Sequence, residues 1–282
     1  MTDNLIKKHA KSFYWASFFL SKKILFKSSS LYNFCRTLDD IADNDRALLY
    51  KKEQFYKFKY DFLNKNFDNI IVKNMWKIIK SENISEKVVQ DLFDGVEADL
   101  VESIQIKSKK SLLTYSYRVA GTVGLMMSKI LKVKDKEALK GAIDLGIAMQ
   151  LTNIARDVIE DEKRNRKYIE ANFLSIKDTI NVSEKFYKKS FNAISAIPLR
   201  SRFSVIVARR VYKKIGDYIL KKENYENYYK SGKIYVPRIG KIFETFFSIL
   251  DFIKLLFVNK IKYENDENYL ILAQEIDFNE RI

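Results

Sequence analysis

Residues 142–161 read AIDLGIAMQLTNIARDVIED, and their pattern decides the fold. Ile147, Leu151, Ile154 and Val158 recur at i, i+4, i+7 and i+11, which is one face of a helix. Leu145, Ala148, Met149 and Ala155 make much of the remaining circumference apolar as well. A helix apolar almost all round belongs inside a protein. Yet Gln150, Asn153, Asp157 and Asp161 form their own stripe at i, i+3, i+7 and i+11. Burying an unpaired carboxylate costs several kcal/mol, so buried acids are paired or bound to metal. The economical reading is a polar cavity inside a helical bundle. The plainer one, with Asp157 and Asp161 lying past the buried part as solvated charge, stays open on this stretch alone.

A second stretch, LYNFCRTLDDIADN at 31–44, has the same form. Tyr32, Arg36, Asp39 and Asp43 are spaced i, i+4, i+7 and i+11, with Leu31, Phe34, Cys35, Leu38 and Ile41 as apolar neighbours. Asp39 and Asp43 are one turn apart, about 6 Å along the axis. Two carboxylates so placed repel unless a cation lies between or beside them. An exposed acidic turn is the bland alternative. Two such stripes together suggest facing helices that hold magnesium, with the metal gripping a diphosphate and nearby arginines clamping the remaining phosphate charge.

Composition narrows the class. The 282 residues are 47% hydrophobic, enough for a full core, and 14% aromatic, which argues against disorder. Two prolines and eight glycines are too few for an all-β chain and favour long helices. One cysteine, Cys35, and one histidine, His9, exclude an intrachain disulfide and zinc sites of the cysteine or histidine type. Any metal ligands are therefore oxygens, which suits magnesium or manganese. The net charge of +15 points to a polyanionic partner (nucleic acid, an anionic membrane or a phosphorylated substrate) or simply to a lysine-biased composition.

Helical patterns are expected at 4–20, 29–44, 47–64, 68–80, 86–104, 110–131, 135–163, 170–191, 200–222 and 239–261. They make one all-α domain over 1–262, followed at 263–282 by an acidic tail or terminal helix. The first residues lack the features of a signal peptide, and no apolar run is long enough to span a membrane. The stretch IFETFFSILDFIKLLFVNKI from Ile242 reads as an amphipathic helix. It either packs on the core, the commoner use of such a stripe, or lies on a membrane surface.

Both acidic stretches resemble the aspartate-rich motifs of the squalene and phytoene synthase family, most of all those of bacterial phytoene synthases. HAKSFYWAS near the start, DGVEADL at 94–100, YSYRVAGTVGLMM at 115–127 and KIYVPRIGKI later on are similar to further family segments in the same order. The resemblance runs from about residue 9 to 245. It implies an all-α isoprenoid synthase fold, a single helical bundle around a central cavity. It implies magnesium-dependent, head-to-head joining of two prenyl diphosphates, geranylgeranyl diphosphate in a phytoene synthase. By motif position, Asp39, Asp40 and Asp43 belong to one metal cluster and Asn153, Asp157 and Asp161 to the other. Lys11, Arg36, Arg156 and Arg166, with Gln150 close by, fall at the diphosphate. Phe13, Tyr32, Val119, Ala120, Val123, Gly124 and Tyr228 are expected on the cavity wall. Tyr115 matches a cavity tyrosine of the family and joins Asp39, Asp43, Asp157 and Asp161 as a catalytic candidate. Ala120, Gly121 and Gly124 allow a helix to approach either the prenyl chain or another helix.

One departure stands out. The family often has Gly-Arg-x-Tyr-Leu-Pro after the second motif, and here the chain reads NRKYIE, with Asn165 and Glu170. The enzymatic alternative is a squalene, presqualene diphosphate or dehydrosqualene synthase using farnesyl diphosphate. A family-like assembly factor without activity is a lesser one, since all the ligand positions carry suitable residues. A basic nucleic-acid binder leaves the acidic stripes unexplained, and no nucleic acid is expected. NADPH is not expected either. Long hydrocarbon substrates and a basic surface imply a cytoplasmic protein held peripherally on membranes.

Overall fold

The computed structural model describes residues 11–282, with side chains from residue 13 onward. The His9 position, the start of the first expected helix and the side chain of Lys11 lie outside the described residues. Thirteen α-helices are described. They are α1 Lys11–Ser17, α2 Lys22–Asp43, α3 Leu48–Leu63, α4 Ile70–Glu82, α5 Glu86–Glu97, α6 Lys109–Ser116, α7 Thr122–Ile130, α8 Lys136–Glu162, α9 Phe173–Ser190, α10 Leu199–Leu220, α11 Tyr225–Lys230, α12 Arg238–Leu256 and α13 Glu267–Ala273. The all-α class is what the sequence leads one to expect. The expected helix at 110–131 is interrupted by a π-helical turn, Tyr117–Gly121. The one at 86–104 ends at Glu97, and a two-residue strand, β1 Ile104–Gln105, follows. It pairs in parallel with β2 Arg166–Lys167.

Local chemistry sets the helix starts. Asp135 accepts the Ala138 amide at 2.8 Å to cap α8, and Asn172 accepts that of Ser175 at 2.8 Å to cap α9. Pro198 and Pro237, the only two prolines, each stand immediately before a helix, α10 and α12. Helix α8 is the centre of the bundle and packs against α7, α9 and α10. Ile147, Leu151, Ile154 and Val158 are all buried, as their spacing requires. Two glycines set how close α7 and its π turn come to α8. A Cβ on Gly124 would lie 2.3 Å from the Ala142 carbonyl oxygen, and one on Gly146 would lie 2.2 Å from that of Ala120. Helix–helix packing is thus one use of this small-residue stretch.

The chain's end docks on the bundle. Phe278 is buried edge-on to Tyr117, and the Arg281 guanidinium meets the buried Asp91 carboxylate with two contacts of 3.0 Å. Lys189 joins Asp266 at 2.8 Å to Asp144, a buried acid of α8 that also accepts the Tyr263 hydroxyl at 3.0 Å. The acids of the last segment therefore meet bases of the bundle.

Helix α12 reverses the commoner expectation for its apolar stripe. Its polar stripe, Glu244, Ser248 and Asp251, is the buried one. Arg210 of α10 bonds Glu244 at 2.9 Å and Asp251 at 2.7 Å. Most of the large apolar side chains face outward, Phe246 being 65% exposed. Both stripes have helical spacing, so the pattern alone did not say which faces in. The half-buried Arg210 on α10, which both acids meet, decides it.

Two outcomes follow from this packing. Gly146→Ala forces α8 off the π turn and lowers stability by about 1–3 kcal/mol in urea denaturation. Burial pushes the Asp144 carboxyl up to about 7, against the pull of Lys189. The folded chain then keeps a proton that the unfolded chain releases near its ordinary value of about 3.9. This group's contribution to stability accordingly falls as pH rises from about 4 to about 7 and is level above that. Unfolding free energies measured across this window should show a shallower slope for Asp144→Asn than for wild type.

Candidate active site

The two acidic helices end on one side of a cavity. The cavity holds about 330 Å³ and runs between α1, α2, α7, α8 and α10. Phe13, Tyr32, Val119, Ala120, Val123 and Gly124 all line it, as expected. Gln150 and Asn153 stand on the same wall, just before the acids of α8. The small-residue stretch therefore serves helix packing and the cavity wall together.

On α2, Arg36 pairs with Asp40 one turn on, at 2.5 Å. Asp39 has no ion pair among the described residues. Its enclosure in the cleft and the neighbouring Asp43 push its pKa up to about 7, although water still reaches it. Asp43 is bridged by the segment that follows α8. Arg166 bonds it at 2.6 Å while also reaching the Ala42 carbonyl at 3.2 Å, and Arg164 approaches it at 3.3 Å. The β1–β2 pairing holds this segment in place, with Arg166 opposite Ile104.

On α8, Arg156 grips Asp157 through two contacts of 2.7 and 2.6 Å. Lys233, on the segment between α11 and α12, adds a second cation 3.2 Å from Asp157 and also bonds Glu160. Asp161 has no ion pair among the described residues. Burial and then Asp157 raise its pKa to about 7, Arg166 and Lys233 oppose the rise, and Asp43 adds to it from the other helix. The two stripes thus share one electrostatic field, with Arg166 between them.

Asp99 sits at the edge of this field. The hydroxyls of Tyr115 and Tyr168 both donate to it, at 2.8 and 3.0 Å, with their rings stacked 4.9 Å apart. Burial lifts Asp99 to about 6 against the pull of Arg166. The same burial and the Asp99 charge hold the Tyr115 phenol well above its ordinary range, as a neutral donor. Tyr115 is therefore beside the acid cluster rather than on the cavity wall.

Tyr228 also stands elsewhere than expected. It is buried in a second hydrophobic cluster, and its hydroxyl meets the carbonyls of Ala155 and Arg156 at 3.0 and 2.8 Å. It braces α8 from behind, its hydroxyl donating to backbone carbonyls of that helix as a buried phenol requires. Asp99, Lys233 and Tyr212, which lines the cavity, were not singled out from the sequence. The first two lie inside the DGVEADL and KIYVPRIGKI segments, and only their contacts distinguish them from their neighbours.

As they stand, Asp40, Asp43 and Asp157 are paired with the chain's own bases. No three metal-ligating side chains among the described residues converge on one point. The donor set nevertheless suits a hard cation. Asp39 and Asp161 are unpaired carboxylates raised by desolvation and then by their acidic neighbours, and the buried Asn153 Oδ1 has no hydrogen-bond partner. Divalent ions bound along the cleft would relieve these groups.

Residues 6–178 match the model of the squalene/phytoene synthase family. A 15-cis-phytoene synthase of Pantoea ananas is 28% identical over 241 residues, covering 73% of this chain and 77% of its own. One from Enterobacter agglomerans is 29% identical over 240 residues, with 73% and 81% covered. Among solved structures, a dehydrosqualene synthase in complex with ligand superposes with a TM-score of 0.75 at 25% identity, over 90% of this chain and 95% of that one. A squalene synthase from Alicyclobacillus acidocaldarius superposes with a TM-score of 0.67 at 15% identity, over 78% and 92%, a likeness of fold. The chain belongs to the squalene/phytoene synthase family. It is an enzyme of the prenyltransferase type.

The departure at Asn165 has a structural meaning. Its φ is +56°, in the left-handed region that glycine adopts freely and asparagine tolerates best among other residues. Asparagine here preserves the turn that aims Arg166 at Asp43. In denaturant titrations Asn165→Gly should be close to neutral, whereas Asn165→Val should lose about 1–2 kcal/mol.

Proposed function

We propose that this protein is a phytoene synthase. It joins two geranylgeranyl diphosphates head to head, through a cyclopropyl (prephytoene) diphosphate, to phytoene, in carotenoid biosynthesis. The observation that carries this reading is the meeting of two carboxylate stripes, each with its own arginine, beside an apolar cavity. Relatives named as 15-cis-phytoene synthases support the choice of substrate.

Asp39, Asp40, Asp43, Asn153, Asp157 and Asp161 would hold magnesium, which would neutralise diphosphate charge as a Lewis acid. Arg36, Arg156 and Arg166, with Lys11 and Lys233, bind the phosphate oxygens and stabilise the departing diphosphate. Gln150 orients the same end of the substrate. Arg156 and Arg166 now rest on Asp157 and Asp43, within reach of incoming phosphate. The double bond of the second substrate attacks the allylic cation left behind, and loss of a proton from the resulting cation closes the cyclopropane. A second ionisation, rearrangement and proton loss give the conjugated triene. Phe13, Tyr32, Val119, Ala120, Val123 and Gly124 keep water from these cations, which water would trap as alcohols. Tyr115 and Tyr168 fix Asp99 beside Arg166 and so hold the clamp's geometry.

We place the enzyme on the cytoplasmic face of a membrane as a peripheral protein. No helix among the described residues is long and apolar enough to cross one. Net charge of +15 favours an anionic surface. A second reading, use of farnesyl diphosphate, is favoured by the likeness to a dehydrosqualene synthase.

Purified protein incubated with geranylgeranyl diphosphate and magnesium, without NADPH, should yield a forty-carbon triene on chromatography. Asp157→Ala should yield at least a hundredfold less. A thirty-carbon product from farnesyl diphosphate, with none from the longer substrate, would establish the second reading instead.

A further inference from the structure

Helix α12 is built inside out for a helix on a water-facing surface. Such a helix normally turns its apolar stripe to the core and its charges to solvent. Here both acids face in, bonded to Arg210. The outward face carries Ile239, Ile242, Phe246, Leu250 and Ile253, continued by Phe257, which is 75% exposed. These positions recur at helical spacing and make one stripe along all 19 residues of the helix. A contiguous apolar face of this length marks an interaction surface.

Helix α1 extends the surface. The Trp15 indole donates to Thr245 of α12 at 2.9 Å, and Phe18 beside it is 63% exposed. The other side of α1, through Phe13, Ala16 and Ser17, lines the cavity. One short helix therefore carries both the cavity wall and the exposed aromatic edge.

We infer that the outward face of α12, with the Phe18 edge of α1, is the surface by which this protein docks on an anionic lipid bilayer, α12 lying in the plane of the interface. The charge pattern selects this occupant. No acidic side chain of α12 is exposed, while Arg238 and Lys254 stand exposed towards its two ends, Lys260 just beyond it and Lys22 and Lys23 just after α1. An apolar helical face rimmed by bases is the pattern of an interfacial helix on anionic lipid. A second copy of the chain carries the same +15 charge and the same basic rim, so like charges would oppose it. Docking in this pose turns α1, and the cavity behind it, towards the hydrocarbon of the bilayer. The use of that contact for passing prenyl chains rests on the proposed reaction, whereas the docking itself does not.

The test is flotation of the full-length protein with vesicles, which requires no substrate and so stands apart from any failure of the proposed activity. Wild type should float with vesicles of phosphatidylcholine and phosphatidylglycerol, and at least tenfold less with phosphatidylcholine alone. Ile242→Ser, Phe246→Ser and Leu250→Ser combined should lower binding to the anionic vesicles at least tenfold, with a melting temperature equal to or above that of wild type. Leu49→Ser with Tyr60→Ser, equally exposed on α3, should bind as wild type does. Lys254→Glu with Lys260→Glu keeps the apolar face and should still lose several-fold on anionic vesicles. Equal flotation of wild type and the α12 triple variant would overturn the inference. So would absence of wild-type flotation together with a dimer in sedimentation that the triple variant converts to monomer, which would assign the face to a second copy.

Discussion

Arg166 is the group on which the site depends. It lies beyond the end of α8, yet its guanidinium reaches Asp43 at the end of α2 and lowers the pKa of Asp99 and Asp161 as well. Without a cation between them, these carboxylates would repel one another across the cleft and drive the two helices apart. With it, the helices can end side by side while the cavity stays open between them. The two-residue β1–β2 pairing and the left-handed turn at Asn165 exist in the fold to place this one side chain. A short piece of sheet in an otherwise helical protein thus has a direct bearing on the chemistry.

The same economy of charge runs through the cluster. Arg36 on Asp40, Arg156 on Asp157 and Arg166 on Asp43 are acid–base pairs at one site, and Arg164 and Lys233 contribute two further cations. Asp39 and Asp161 are left over, one on each helix, and both are pushed towards neutrality by desolvation and then by their acidic neighbours. Such a site has unmet demand for positive charge at its centre and bases around its rim. That is the complement of a metal-bound polyanion, and an ordinary solvated acidic turn has neither feature. Below the charged rim the walls become apolar, and the glycines that draw α7 onto α8 also keep that part of the wall thin.

The surface follows a different rule. Burial normally sorts apolar side chains inward, and throughout α8 it does. On α12 the sorting is inverted because Arg210 of the neighbouring helix is itself partly buried and needs acids. Glu244 and Asp251 meet that need, and their apolar opposites are left outside. The outward stripe is therefore a consequence of an internal ion pair, and it gives the basic exterior of the protein a place to meet hydrocarbon.

The sequence by itself determined the fold class and named the candidates for the site. The periodicity of 142–161 predicted a buried helix with a polar stripe, which the structure shows, and spacing marked Asp39, Asp43, Asp157 and Asp161 as candidates while leaving solvated charge open. Side chains of the cavity wall at Tyr32, Val119, Ala120, Val123 and Gly124 were legible through the resemblance. Contacts made between segments distant in the chain were not legible, since nothing local encodes them. Asp99 joins Tyr168 from 69 residues away and Lys233 joins Asp157 from another helix pair, so both looked like ordinary surface charge. Tyr228 was expected in the cavity and instead braces α8 from behind, a matter of which side of a helix a distant residue reaches. The orientation of α12 was decided in the same way. Two stripes of equal helical period compete for the core, and only the three-dimensional position of Arg210 determines which of them is buried.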